Sequence, residues 1–408
     1  MPAMMYQLYQ TQTDIMAPLR ALATLGNVAW RDPVTGIFDN VVGRSVGAAY
    51  ELIARSGLTH SRPAWGINSV EIGGEQVAVR EEIVDTTPFA TLIRFAKDVD
   101  TPQPRVLIVA ALSGHFATLM RGTVRTMLAD HEVYVTDWHN ARDVRVADGR
   151  FDVDDYIAHV IHFLEVMGPE SHVVAVCQPC VPVLAAVAVM AEAGNAAKPR
   201  SMTLIAGPID TRQSPNKINK LAESRPIEWF EQNLIDRVPG RYPGAGRRVY
   251  PGFIQLLAFV SMNIERHLKA HRELFEAIAK NDLARAQVTR DFYDEYFAVL
   301  DVTAEYYLQT IRTIFQEHAM ARGRYEWRGR RVDLGAIRRT RLLTVEGEKD
   351  DICGLGQTMA AHELCSGLHP MLKSHHLQAG VGHYGVFNGG RWQKSIYPLV
   401  KKVIHGRD

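Results

Sequence analysis

The chain has 408 residues, 47% of them apolar and 22% charged, with a formal charge of +1; this is the make-up of an ordinary globular protein, and so even a balance supplies no field to gather nucleic acid. The length favours one large domain carrying an insertion, or two domains. Four cysteines, Cys177, Cys180, Cys353 and Cys365, make no disulfide framework, and the opening MPAMMYQLYQTQTD lacks the basic region and apolar core of a secretory signal. A reducing cytoplasm is the expected setting.

Residues 1–60 read mostly as helix: LRALATL and VGAAYELIARSG carry apolar residues three and four apart. Residues 69–97 change period. VEIGGEQVAV places a Gly-Gly turn between short alternating runs, and ATLIRFA follows, so antiparallel strands open a sheet. From Arg105 strands and helices alternate. RVLIVAAL, HEVYVTDW, HVVAVC and SMTLIAG read as buried strands; SGHFATLMRGTVRTMLAD, DVDDYIAHVIHFLEVMG and PVLAAVAVMAEAG read as helices, the second capped by Asp152. The apolar run from Val173 to Ala191 is long enough to suggest a membrane span, but Gln178, Pro179 and Pro182 interrupt it. A buried strand, a sharp turn and a buried helix fit it better.

The alternation stops after Gly207. RVPGRYPGAGRRVYPG is rich in proline and glycine, and two long helical patterns follow, FIQLLAFVSMNIERHLKAHRELFEAIA and YDEYFAVLDVTAEYYLQTIRTIF. Strand and helix resume at TRLLTVEGEKDD, with a helix over GLGQTMAAHELCSG, a strand at SHHLQA, then GVGHYGVF and a closing helix. Such alternation predicts an α/β fold with a mostly parallel central sheet and helices on both faces. The expected division is an N-terminal helical segment (1–60), a core of 61–207 and 335–408, and a helical cap inserted over 208–334.

Cys177 closes a strand and stands just before a helix, where a sharp turn exposes a nucleophile at the C-terminal edge of a sheet. The helix N-terminus favours a thiolate, and Pro179 costs nothing in a first turn. The backbone N–H of Gln178 would face an oxyanion formed on attack. A second donor is expected from the loop after the first parallel strand, the N–H groups of Ser113 and His115 around Gly114. Asp350 follows the strand LLTVEG, and His383 follows the last strand between glycines. Nucleophile, acid and histidine thus come in the order this architecture requires, each just past a strand. The histidine would take the thiol proton and the aspartate would fix its tautomer.

Each residue also has a plainer role open to it. A lone cysteine in an apolar run is ordinarily a small buried hydrophobe, and with 16 histidines most are structural. Asp351 and Asp210 compete with Asp350 for the acid. Asp137, in VTDW, reads as a turn or cap residue. Cys177-Gln-Pro-Cys180 is also the spacing of a thiol redox pair, but that reading leaves the later aspartate and histidine unexplained. Cys353 and Cys365 do not complete a zinc site, and neither a metal nor a cofactor is expected.

VCQP followed by VPVLAA, the ALSGHFATL loop, GRRVYPGFIQ, VEGEKDDICGLGQT and GHYGVF resemble the intracellular polyhydroxyalkanoate (polyhydroxybutyrate) depolymerases of the α/β-hydrolase superfamily, from MYQLYQ to RWQKSIYP. The resemblance implies Cys177 as nucleophile, with Asp350 and His383 completing the triad. One departure from other hydrolases is that Ala175 and Pro179 stand where the usual elbow has glycine. It also implies cleavage of stored poly(3-hydroxybutyrate) at the surface of its granule, through a thioester on Cys177 released to water or to coenzyme A. On this reading the aromatics Trp229, Phe230, Tyr293, Tyr296, Phe297, Tyr306 and Tyr307 either line an apolar entrance for the polyester or pack the cap's own core. A homodimer is compatible, and no transmembrane segment is expected. The rival functions are a polyhydroxyalkanoate synthase-like acyltransferase with the same triad, a non-catalytic granule-associated protein, and a thiol oxidoreductase.

Overall fold

The computed structural model describes residues 5–31, 40–99 and 101–406. Two helices open it, α1 (Met5–Arg31) and α2 (Val41–Ala54), where helical spacing predicts them; residues 1–4 and 32–39 of that stretch lie outside the described residues. Within α1 only Tyr6 and Ala23 are buried among the described side chains. Tyr6 anchors the helix: its N–H donates to Asp236 at 2.8 Å and its hydroxyl to Asp301 at 2.6 Å. α2 starts on Asn40, whose side chain accepts from the Gly43 N–H and satisfies one orphan donor of the first turn.

β1 (Ser69–Ile72), β2 (Glu75–Thr86) and β3 (Ala90–Lys97) form an antiparallel entry to the sheet. Gly73 and Gly74 join the first two at φ +61° and +90°, a turn that residues with a side chain resist. Then come β4 (Arg105–Val109), α3 (Arg121–Leu128), β5 (Glu132–Trp138), α4 (Val153–Met167), β6 (His172–Val176), α5 (Cys180–Glu192) and β7 (Ser201–Ile205). α4 begins with a reciprocal capping box between Asp152 and Asp155. The segment predicted as helix from Ser113 starts later, because residues 113–116 form a loop and a single 3-10 turn precedes α3.

After β7 lie α6 (Lys217–Ser224), α7 (Ile227–Leu234), β8 (Asp236–Arg237), β9 (Arg248–Tyr250), α8 (Gly252–Met262), α9 (Ile264–Ala279), α10 (Leu283–Tyr296), β10 (Val302–Thr303), α11 (Ala304–Thr310), β11 (Glu326–Trp327) and β12 (Arg330–Arg331). β13 (Arg341–Gly347) and β14 (Lys373–Gln378) complete the main sheet, whose order is β1-β2-β3-β5-β4-β6-β7-β13-β14. The six strands from β5 to β14 run parallel. This is the α/β-hydrolase arrangement.

The two long helical patterns between β7 and β13 are each broken. Asn263, with φ −140° and ψ 44°, separates α8 from α9. Between α10 and α11 the backbone has other partners: Leu300 N–H donates to Gly114 O at 2.9 Å, and β10 pairs with β9. Tertiary pairing overrides helical spacing there. GLGQTMAAHELCSG is likewise mostly turn, with helix only at Ala361–Leu364. Gly356 sits at φ +88°, and the Glu346 carboxylate gathers the N–H groups of Gly356, Thr358 and Met359 at 2.8–3.0 Å.

The interior explains the membrane-like run. Val173–Val176 and the side chains of α5 from Cys180 to Ala188 are all buried, so that helix is apolar on every face and sits inside the protein. No helix among the described residues is long and apolar enough to cross a membrane.

Candidate active site

β6 delivers Cys177 to the C-terminal edge of the sheet, and the chain turns there at φ +68°. A side-chain-bearing residue in this left-handed region costs roughly 1–2 kcal/mol, so neighbours must hold it. They do: Cys177 N–H donates to Ile205 O at 2.7 Å, and Cys180 N–H donates to Cys177 O at 3.1 Å. α5 begins at Cys180 with Pro179 as its cap; Pro182, third in the helix, breaks no helical bond because the first turn's donors have no intrahelical acceptor. The partial positive charge of this 13-residue helix therefore faces the turn that carries the Cys177 thiol. Cys177 is half-buried, and the other three cysteines are buried.

His383 lies in a short turn after β14 and is 95% buried, as its 5% exposure shows. Its Nδ1 is 2.8 Å from Asp350 Oδ2, and it shares the wall of a small chamber with Cys177. Burial alone would lower its pKa; the charge of Asp350 first, then that of Cys177, outweighs burial and holds the pKa well above the ordinary histidine value. Asp350 is held in turn, since its Oδ1 accepts the N–H groups of Ile352 and Cys353 at 2.9 and 2.8 Å.

The competing acids lie elsewhere. Asp210 is bound at 2.8 and 2.9 Å by Arg212, and exposed Asp351 accepts from Asn263. Asp137 is no turn residue: it belongs to β5, pairs with Arg62 at 3.1 Å, and burial pushes its pKa up to about 6. Its position near a strand's end made it look like part of a loop. Cys180 packs inward, its thiol donating to Ala175 O and Ile205 O at 3.4 and 3.5 Å, and burial raises its pKa well above the ordinary thiol value.

Ser113, Gly114 and His115 pass beside Cys177. Gly114 has φ +93°, and a Cβ there would stand 2.9 Å from Gln255 Cβ. His115 bridges Val299 in an antiparallel pair. Among the described residues the backbone N–H groups of Ser113, His115 and Gln178 meet no acceptor, which leaves them available to an oxyanion.

Cys177, Gln178 and Ser113 lie at one wall of a cavity of about 500 Å³. The rest of its wall comes largely from the segment between β7 and β13. Trp229, Phe230, Tyr306 and Tyr307 line it, whereas Tyr293, Tyr296 and Phe297 do not; those three pack with Leu256 and Val299 in a separate cluster. The aromatic set that composition groups together is thus split between lining and packing. Tyr250, Leu257 and Phe259 also face the cavity. Tyr250 falls in the GRRVYPGFIQ stretch, and its ring centroid lies 3.9 Å from that of Tyr307. Clefts of about 680 and 840 Å³ beside Arg339 and Met371 contain none of the site residues. Among the described residues no cluster of histidine, cysteine, aspartate and glutamate could hold a metal ion.

Residues 206–408 match the family model described as PHB de-polymerase C-terminus. The chain thus carries a PHB depolymerase C-terminal domain. That domain supports an ester hydrolase. Solved structures that the chain resembles include 2-hydroxy-6-oxo-6-phenylhexa-2,4-dienoate hydrolase from Rhodococcus sp. strain RHA1, at 10% identity and TM-score 0.45 over 81% of this chain and 99% of that one. A thermophilic esterase from Thermogutta terrifontis aligns at 14% identity and TM-score 0.41 over 80% of this chain and 98% of its own. A monoacylglycerol lipase from Paleococcus ferrophilus aligns at 10% and 0.43 over 74% and 96%. A search of curated proteins found no match.

Proposed function

We propose that this chain hydrolyses the ester bonds of poly(3-hydroxybutyrate) or a related short-chain polyhydroxyalkanoate, with Cys177 as nucleophile, His383 as base and acid, and Asp350 as its orienting carboxylate. The observation that carries the reading is the imidazole of His383, bonded to Asp350 at 2.8 Å and lining one small chamber with Cys177, which also stands at the wall of an apolar cavity.

The thiolate attacks an ester carbonyl of the polymer. Negative charge collects on the carbonyl oxygen, where the N–H groups of Gln178, Ser113 and His115 receive it. His383 gives its proton to the departing alkoxide, a hydroxyl-ended chain leaves, and a 3-hydroxyacyl thioester remains on Cys177. Water then attacks the thioester, losing a proton to His383, and the acid departs as the proton returns to sulfur. Segment 208–334 acts as a cap whose Trp229, Tyr306 and Tyr307 receive the polyester strand, in keeping with an apolar polymer and a site able to work at a granule surface. Coenzyme A is an alternative acceptor, and a homodimer is compatible with this scheme.

The test is to offer the protein amorphous polymer and, separately, 3-hydroxybutyryl-CoA. Acid or oligomers from the first and no polymer from the second are expected. Polymer formed from the thioester would replace this reading with the acyltransferase one, and hydrolysis surviving Cys177→Ala would remove the cysteine from the mechanism.

A further inference from the structure

A second, much smaller space touches the same thiol. It offers about 40 Å³ to the centre of a water molecule and is walled by Cys177 and His383 together with Ser113, His115, Met120 and Tyr384. A water needs roughly 10–15 Å³ measured in this way, and two to four polar partners. The chamber is therefore the size of one to a few waters and too small for a polyester strand. The large cavity shares Cys177 and Ser113 with it but lacks His383 and His115.

His115 is the group in this wall without a use. Its ring is 95% buried, as its 5% exposure shows, and Nε2 has no hydrogen-bond partner among the described residues. The ring packs on that of Tyr296, with centroids 5.0 Å apart, and in the neutral ring with its N–H on Nδ1 the Nε2 is a bare acceptor. A buried, unpaired acceptor costs free energy unless something donates to it.

We propose that His115 is a positioning residue for the hydrolytic water: its Nε2 and that of His383 accept the two hydrogens of one water in the small chamber, turning the oxygen lone pairs toward the thioester on Cys177. This rests on the cysteine mechanism above. The step balances without any further reactant. A C–O bond forms and the C–S bond breaks; one water proton passes to His383 and from there to the departing sulfur. The polymer occupies one compartment and water the other, so deacylation does not wait for the polymer strand to clear. Burial lowers the pKa of His115 to about 4, and at neutral pH the ring stays an acceptor.

The test separates acylation from deacylation with an activated 3-hydroxybutyryl ester. In His115→Phe, which keeps a ring and the backbone N–H, the acylation burst should stay within about threefold of wild type while deacylation falls ~100-fold, the size expected for a misplaced reactant. Intact-mass measurement during turnover should then show the acyl adduct on Cys177, His115→Gln should recover much of the rate through its acceptor oxygen, and a small added thiol should bypass the block. Should His115→Phe fold poorly, Met120→Phe, which fills the chamber from another wall, should give the same slow deacylation. Deacylation at the wild-type rate in either folded variant, or equal loss of both steps, overturns the proposal. Absence of any adduct on Cys177 in the wild type under rapid quenching overturns the cysteine mechanism itself.

Discussion

Gly207 and Cys180 meet so closely that a β-carbon on the glycine would lie 2.2 Å from that of the cysteine. Cys180 is therefore a packing residue matched to a missing side chain, on the buried side of the turn that carries Cys177. Gly207→Ala should lower stability by ~1–3 kcal/mol, the usual cost of overpacking a filled core, measured by denaturant unfolding. Cys180→Ala should keep ester hydrolysis within a few-fold of wild type, and iodoacetamide should label Cys177 first in the native protein. Loss of activity in Cys180→Ala comparable to that of Cys177→Ala would revive the redox pair.

The bond between Asp350 and His383 predicts a sharp contrast between adjacent acids. Asp350→Asn should lower kcat by up to ~10⁴, as removal of the orienting charge does in other triads, with little change in folding. Asp351→Asn loses only its surface contact with Asn263 and should leave the rate unchanged. Equal effects of the two substitutions in steady-state kinetics would remove Asp350 from its assigned place.

Asp301 predicts a pH dependence of stability. It is fully buried, accepts from Gly252 N–H at 2.8 Å and Tyr6 at 2.6 Å, and burial pushes its pKa up to about 6, with Arg142 opposing and Asp143 adding to the rise. Unfolded, it titrates near the ordinary carboxyl value. Between about pH 4 and 6 the folded state holds the extra proton, so stability falls as pH rises through that window, by ~3 kcal/mol for this group once fully ionised. Asp301→Asn keeps an acceptor for Gly252 and cannot ionise. Its Tm relative to wild type should rise from pH 4 to pH 7.5; a flat or falling difference would show that Asp301 does not ionise at a cost.

The divided aromatic set gives a kinetic contrast. Trp229→Ala opens the cavity wall and should raise KM for oligomeric esters several-fold more than for a short monomeric ester. Tyr293→Ala, in the packed cluster, should lower Tm by several degrees while leaving the relative KM values alone. The reverse assignment would mean that the polymer runs along the other aromatic group.

What could be read from sequence was local. Strands β4 to β7 and the helices between them follow from period and turn chemistry within a few residues, and Cys177, Asp350 and His383 stand out because they come soon after the ends of β6, β13 and β14. What could not be read depends on distant partners. Nothing near Leu300 announces that its N–H will meet Gly114, so α10 and α11 looked continuous. Tyr306 and Tyr296 occur in equally helical, equally aromatic surroundings, and only the tertiary arrangement sends one to the cavity and the other to a packed cluster. His115 could be placed beside the oxyanion loop by its backbone, but its unpaired ring nitrogen has no signature in sequence.

The anchoring of α1 through Tyr6 has a consequence for biosynthesis. The helix is bonded to residues 230 and 295 positions further along the chain. At ~20 residues per second a ribosome needs at least ~15 s to supply the second of them. Throughout that interval Tyr6, which the finished fold buries completely, lacks both of its carboxylate partners, and a holdase chaperone has its longest opportunity at this helix.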